Sequence, residues 1–163
     1  MTIMLQYRIR RKLNNSSIAV NCMKTKLLVV GKLKEPHYKE ACQEYMKRLK
    51  KYCNLEVIEI KDEGKEKEAE KILVKCDDAY SIVLTEEGKH FTSPQFASFI
   101  KKRESDIVFI IGGPYGLSDQ VKKKANLLLS LSAMTLPHEL CRVVFLEQLY
   151  RAYTIIKNEK YHH

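Results

Sequence analysis

From Lys24 onward, short apolar runs alternate with segments of helical period, and this alternation restricts the fold more than any other feature of the chain. A strand that is followed by a covering helix returns parallel to itself, so repeating the unit builds a parallel sheet with helices on its faces. The apolar runs are residues 26–31, 55–60, 80–84, 107–111 and 127–131. The fourth, Ile-Val-Phe-Ile-Ile, has no polar member and is expected at the sheet centre, buried on both sides. The pattern predicts an α/β sandwich around a parallel sheet, as one domain over residues 23–163.

Between the runs, Pro36 suits a first helical turn, and Tyr38, Ala41, Cys42, Tyr45, Leu49 and Tyr52 recur on one helical stripe. Residues 61–71, KDEGKEKEAEK, read as a solvated loop leading onto a helix and are assigned no chemistry. Ser93-Pro94 has the form of an N-cap with proline at the next position, and Phe96, Phe99 and Ile100 give that helix an inward face. Ser118-Asp119 caps a short helix. The last helix, residues 138–158, is apolar except for a line through Glu147, Arg151, Thr154 and Asn158. Its second apolar face, with Val143, Leu146, Tyr150 and Tyr153, predicts a partner surface and hence a homodimer.

Composition bounds the rest. With 163 residues, 45% hydrophobic, 30% charged, and only six glycines and four prolines, the chain is neither disordered nor collagenous nor a disulfide mini-protein. Five scattered cysteines without a C-x-x-C pair give no zinc or disulfide-exchange motif, so no metal is expected and a reducing cytosol is the natural compartment. The apolar runs fall far short of a bilayer span, so no membrane is expected. The net charge is +9, but Arg8, Arg10, Arg11 and Lys12 lie in an acid-free opening segment, which leaves +5 on the remainder. Residues 1–22 are set aside from the fold, as upstream of a start at Met23 or as an organellar presequence.

Ligands of open α/β sheets bind beyond the carboxyl ends of the strands, which singles out three segments: 84–89, 112–117 and 130–138. The second reads G-G-x-x-G, without the order of a dinucleotide fingerprint or the G-K-[ST] of a phosphate loop. It is either a plain tight turn or a place of close backbone approach. The third, LSLSAMTLPHELCR, is an apolar loop entering a helix. Its Leu131, Met134 and Leu136 either fill core or line a pocket for a flat apolar ligand. His138 and Cys141 read as packing residues, and no hydrolytic constellation is present.

Read from Met23, the chain resembles the RlmH family of SPOUT methyltransferases. The likeness rests on MKTKLLVVGKLK, FIIGGPYGLS, LSLSAMTLPHELCRVVFLEQLYRAYTI and the terminal NEKYHH. It implies methylation of N3 of a pseudouridine in 23S-type large-subunit ribosomal RNA, on assembled ribosomes, by a cytoplasmic homodimer using S-adenosyl-L-methionine. It also implies a trefoil knot in the carboxyl-terminal third, for which periodicity offers no support.

Carried over by motif, the cofactor site comprises Leu84, Thr85, Gly112, Gly113, Gly116, Leu131, Ser132, Ala133, Met134, Thr135, Leu136 and Pro137. The 84–89 stretch looks one residue shorter than usual in the family, which leaves the choice between Leu84 and Thr85 open. Displacement at a sulfonium needs no covalent enzyme intermediate, but the imide N3–H must lose a proton. Arg142 is the candidate for stabilising the resulting anion, and Tyr161 and His162 match terminal residues that the family brings to its site. A noncatalytic RNA-binding or ribosome-assembly module of the same fold is the alternative. A nucleotide-binding flavodoxin-like regulator fits less well, because the third loop carries no phosphate-directed side chains.

Overall fold

In a computed structural model, the described residues are 24–76 and 78–162. The opening segment set aside above, together with Met23, Asp77 and His163, lies outside them. The five strands are β1 (Lys24–Val30), β2 (Asn54–Ile60), β3 (Tyr80–His90), β4 (Ile107–Ile111) and β5 (Leu127–Ser130). The helices are α1 (Pro36–Leu49), α2 (Lys65–Cys76), α3 (Ser93–Lys101), α4 (Asp119–Lys124) and α5 (His138–Ile156). All strand pairings are parallel, in the order β2-β1-β4-β3-β5.

The two-residue period of each strand sorts its side chains between two cores. Leu27, Val29, Ile82, Leu84, Ile107, Phe109 and Ile111 face α1, α3 and α5, where they meet Cys42, Leu49, Phe96, Ile100, Phe145 and Leu149. Leu28, Val30, Val83, Val108 and Ile110 face α2 and α4, where they meet Ala69, Ile72 and Val121. Every residue of β4 is buried, as an unbroken apolar run requires when helices cover both faces.

Three boundaries differ from the sequence reading. The cap of α3 is Thr92 rather than Ser93: its hydroxyl accepts from the Gln95 N–H, and the Gln95 side chain accepts from the Thr92 N–H, closing a capping box. β3 continues to His90, because after residues 85–88 leave the ladder it rejoins β5, pairing Lys89 with Leu129 and His90 with Ser130. Gly88 permits this crossing. A Cβ there would stand 2.5 Å from the Leu129 carbonyl carbon. α5 stops at Ile156, and Asn158 takes a left-handed φ of 54° where the chain turns back.

The apolar breadth of α5 is satisfied mostly within the chain. Leu146 is buried in the core, so its assignment to a partner surface is corrected. Tyr150 and Tyr153 pack on the α1 side, with Tyr153 stacked on Tyr52 at 5.7 Å between centroids and Tyr150 at 6.1 Å from Tyr45. The helix lies between α1 and α3, both of which supply residues to the same core, so a monomer already covers most of it. Leu140, Val143 and Val144 remain half-buried.

Candidate functional site

The chain leaves β1 for β2 on one side and leaves β4 for β5 on the other, so a crevice opens at the carboxyl ends of β1 and β4. Three connections close over it. Residues 85–88 arch out of β3, residues 112–117 turn tightly after β4, and residues 131–137 run from β5 into α5. Together they enclose a cleft of about 700 Å³, within the range of small-molecule sites.

The turn after β4 is built by its own sequence. Gly116 N–H donates to the Gly113 carbonyl at 3.0 Å, with proline at the second turn position and a left-handed glycine at the fourth. Gly113 packs so close to β1 that a Cβ would meet Val30 Cγ1 at 3.0 Å, and at Gly112 a Cβ would meet Leu117 Cγ at 2.9 Å. The loop after β5 folds on its own hydroxyls: Ser130 Oγ donates to the Ser132 carbonyl at 2.8 Å, and Met134 N–H donates to Ser132 Oγ at 3.0 Å.

Of the twelve residues expected at a cofactor, Leu84, Thr85, Gly112, Gly113, Gly116, Leu131, Ser132, Met134, Thr135, Leu136 and Pro137 border this single cleft. Ala133 does not; it sits exposed on the outside of its loop. Leu84 and Thr85 both reach the wall, Met134 and Leu136 line the cleft, and Leu131 both lines it and packs against the core. Lys65, Glu86, Tyr115, Lys122, His138 and Cys141 also border it; Glu86, Tyr115 and His138 fall within the three segments singled out in the sequence, whereas Lys65 and Lys122 lie outside them and Cys141 read as packing. Lys65 belongs to the run read as solvated. Its approach depends on α2 starting beside the β4 turn, a tertiary relation with no local signal. Burial pushes the Cys141 thiol up to about 11, with Arg142 opposing, so it is no nucleophile.

The three residues expected to act on the substrate are not brought to this cleft within one chain. Arg142 is buried, and its Nη2 donates to the carbonyls of Val30 at 3.0 Å and Gly31 at 2.6 Å, while Nη1 lies 3.5 Å from Glu59 Oε1. Burial lowers its pKa, and the Glu59 carboxylate opposes that shift. Its guanidinium is occupied in fixing the end of β1 and does not border the cleft.

Tyr161 Oη donates to Glu147 Oε1 at 3.1 Å, the Tyr161 ring meets Tyr150 edge-on at 4.7 Å, and the Arg151 guanidinium lies 4.8 Å from its centre. His162 Nδ1 lies 3.5 Å from Arg151 Nη1. The carboxyl-terminal segment therefore folds back on the middle of α5. Glu147 is nine residues beyond the cleft-lining His138, roughly 14 Å along the helix. Burial and the neighbouring Tyr45 and Glu147 raise the Tyr161 pKa, which keeps the phenol neutral.

Among the described residues, no group of three metal-ligating side chains occurs, and no helix is long and apolar enough to cross a membrane.

The family described as "Predicted SPOUT methyltransferase" matches residues 23–162. The chain belongs to the SPOUT methyltransferase family. It is 46% identical to a protein of Clostridium acetobutylicum named ribosomal RNA large subunit methyltransferase H, over 86% of this chain and 99% of that one. Proteins of the same name from Caldicellulosiruptor saccharolyticus and Streptococcus gordonii are 44% and 45% identical, over 84% and 86% of this chain and 98% and 99% of their own lengths. Among solved structures, a probable methylase family protein from Haemophilus influenzae superposes with a TM-score of 0.55 at 9% identity. That match covers 85% of this chain and 70% of the other, and it speaks to the fold alone.

Proposed function

We propose that this SPOUT methyltransferase transfers a methyl group to N3 of a pseudouridine in large-subunit ribosomal RNA, on assembled ribosomes, as a homodimer. The observation that carries the reading is the convergence of eleven of the twelve expected residues on one cleft at the carboxyl ends of the strands. The names of the relatives, ribosomal RNA large subunit methyltransferase H, support the substrate class.

The cleft fits S-adenosyl-L-methionine in size and in the chemistry of its walls. Leu84, Leu131 and Leu136 offer apolar side chains to a flat base, and the backbone groups of residues 131–137 that are not engaged within the loop offer partners to its edge. Glu86 supplies the carboxylate on the wall, suited to ribose hydroxyls or to a sulfonium charge. When bound, the group supplies an electrophilic methyl. The protein then contributes orientation and exclusion of water rather than a covalent intermediate.

The dimer enters because the terminal residues and the cleft are separated within one chain. We place Tyr161 and His162 of each chain at the partner's cleft, and the half-buried Leu140, Val143 and Val144 on the shared surface. Arg142 becomes a positioning residue, since its donors hold Val30 and Gly31. The trefoil knot of the carboxyl-terminal third belongs to the same reading and is supported by the family membership.

The test is methylation of purified ribosomes with isotopically labelled S-adenosyl-L-methionine, with mass-spectrometric mapping of the product. A single labelled pseudouridine in large-subunit RNA is expected; label elsewhere refutes the substrate assignment. Absence of cofactor binding by calorimetry would favour the noncatalytic RNA-binding module.

A further inference from the structure

Beside the cleft lies a second cavity of about 130 Å³, bordered by Asp62, Gly64, Lys65, Glu68 and the turn of residues 113–116. The two hollows share a wall, and Lys65 and Tyr115 are the two long side chains in it. Tyr115 is 79% exposed at a corner of a turn closed by the Gly116 to Gly113 hydrogen bond. Every other tyrosine among the described residues lies against another ring: Tyr38 on His37, Tyr80 on Phe99, and Tyr45, Tyr52, Tyr150, Tyr153 and Tyr161 in one linked group. Tyr115 has no such neighbour. Large exposed hydrophobics are few here, and Met134, 76% exposed, is a second one on the cleft wall.

An aromatic ring held out on a stiff turn, beside a hollow of single-ring size, has the form of a stacking platform for a base lifted out of RNA. The polar groups narrow the kind of base. Glu68 is buried, and its Oε1 already accepts the N–H groups of Glu63 and Gly64 at 3.1 and 3.0 Å, so that oxygen is occupied. Asp62 and Lys65 are exposed, and they offer an acceptor and a cationic donor. A ring carrying both N–H donors and carbonyl acceptors, as uracil-type bases do, satisfies both.

We propose that Tyr115 and Lys65 frame a subsite that takes one uracil-type base of the RNA substrate, stacked on Tyr115 and held next to the cofactor cleft. This deepens the function proposed above and rests on it.

The experiment has two arms. In steady-state methylation of ribosomes, Tyr115→Ala is expected to lower kcat/KM roughly 10- to 100-fold, the range that follows from losing one base–aromatic stack. Tyr115→Phe should stay within about threefold of wild type, and S-adenosylhomocysteine affinity should be unchanged in both, a result a collapsed turn would not give. Unchanged kcat/KM in Tyr115→Ala, or an equal loss of S-adenosylhomocysteine affinity, overturns the proposal, the latter by assigning the ring to the cofactor. In the second arm, a uridine-rich single strand substituted with 4-thiouridine is irradiated with the full-length wild-type protein. A crosslink within residues 112–117 is expected, and crosslinks confined to other regions overturn the subsite. Wild-type protein that fails to methylate ribosomal RNA refutes the broader function alone, and the crosslink then decides the subsite.

Discussion

Glu139 and Arg142 stand three residues apart on the first two turns of α5 and grip one connection, β1 to α1, with opposite charges. The Glu139 carboxylate accepts the N–H groups of Lys34 and Glu35 at 3.0 and 3.1 Å, while Arg142 donates to the carbonyls of Val30 and Gly31. Glu35, the N-cap of α1, makes no side-chain cap of its own; a carboxylate more than a hundred positions away instead takes the N–H of the N-cap residue and of the residue before it. The loop of residues 131–137 thus ends in a helix whose start is fastened to the β1–α1 connection.

Replacing Arg142 with methionine leaves two carbonyls at the end of β1 without their donor. The expected destabilisation is about 3 kcal/mol, roughly 10 °C in Tm for a domain of this size. At a temperature where the variant is folded, cofactor affinity should weaken along with activity. A variant of normal stability and affinity that had lost only kcat would return the guanidinium to the substrate.

Glu139 sets a pH dependence. Burial raises its pKa, but the Glu35 and Lys34 N–H groups, His138 and Arg142 outweigh that, and the net shift is downward from 4.5. A carboxylate with a depressed folded-state pKa stabilises above its unfolded value and loses that contribution as pH falls through the folded one. Glu139→Gln should therefore melt below wild type at pH 7, with the gap closing below about pH 4. Thermal melts across pH 3–8 check this; a gap that widens on acidification contradicts it.

Gly88→Ala places a methyl against main chain that cannot step aside, 2.5 Å from the Leu129 carbonyl carbon. Overpacking of this kind costs about 2 kcal/mol or more. Reduced Tm and weakened S-adenosylhomocysteine binding are expected together, because displacing β5 moves the 131–137 loop.

Deleting residues 161–163 should abolish methylation while cofactor affinity stays within about twofold of wild type. Mixing that truncated chain with a cleft variant, Leu136→Asp, should restore part of the activity through mixed dimers. No restoration, or a monomer by light scattering at micromolar concentration, would place the terminal segment elsewhere.

Binding to ribosomes should weaken steeply with salt, since a body of +5 per chain grips RNA through phosphate contacts. Filter binding between 50 and 200 mM salt measures the slope, and a flat profile would contradict this reading.

The strand order and the terminal segment's position were not legible in the sequence, although the elements themselves were. The unbroken apolar runs at residues 27–30 and 107–111 and the helical stripe from Tyr38 to Leu49 are local signals, and they place the strands and the first helix correctly. The three connections that border the cleft were legible from their place at the strand ends, whereas the individual residues within them came from the family resemblance. Lys65 could not be read in advance, because it looks like ordinary solvated surface until α2 and the β4 turn are set side by side, and Tyr115, though within the β4 connection singled out, carried no signal of its own. The expectation for Arg142 follows its sequence neighbours, which border the cleft, whereas its side chain runs the other way, to carbonyls over a hundred residues earlier.

The return of β3 to its neighbour after residues 85–88 bears on how molecules enter and leave. A span with both feet in a β-ladder has little freedom to swing, and neither has the turn locked between Gly113 and Gly116. Traffic through the cleft is left to the segment from Leu131 to Pro137, held by two serine hydroxyls, so the rate of product exchange should be written in those two side chains.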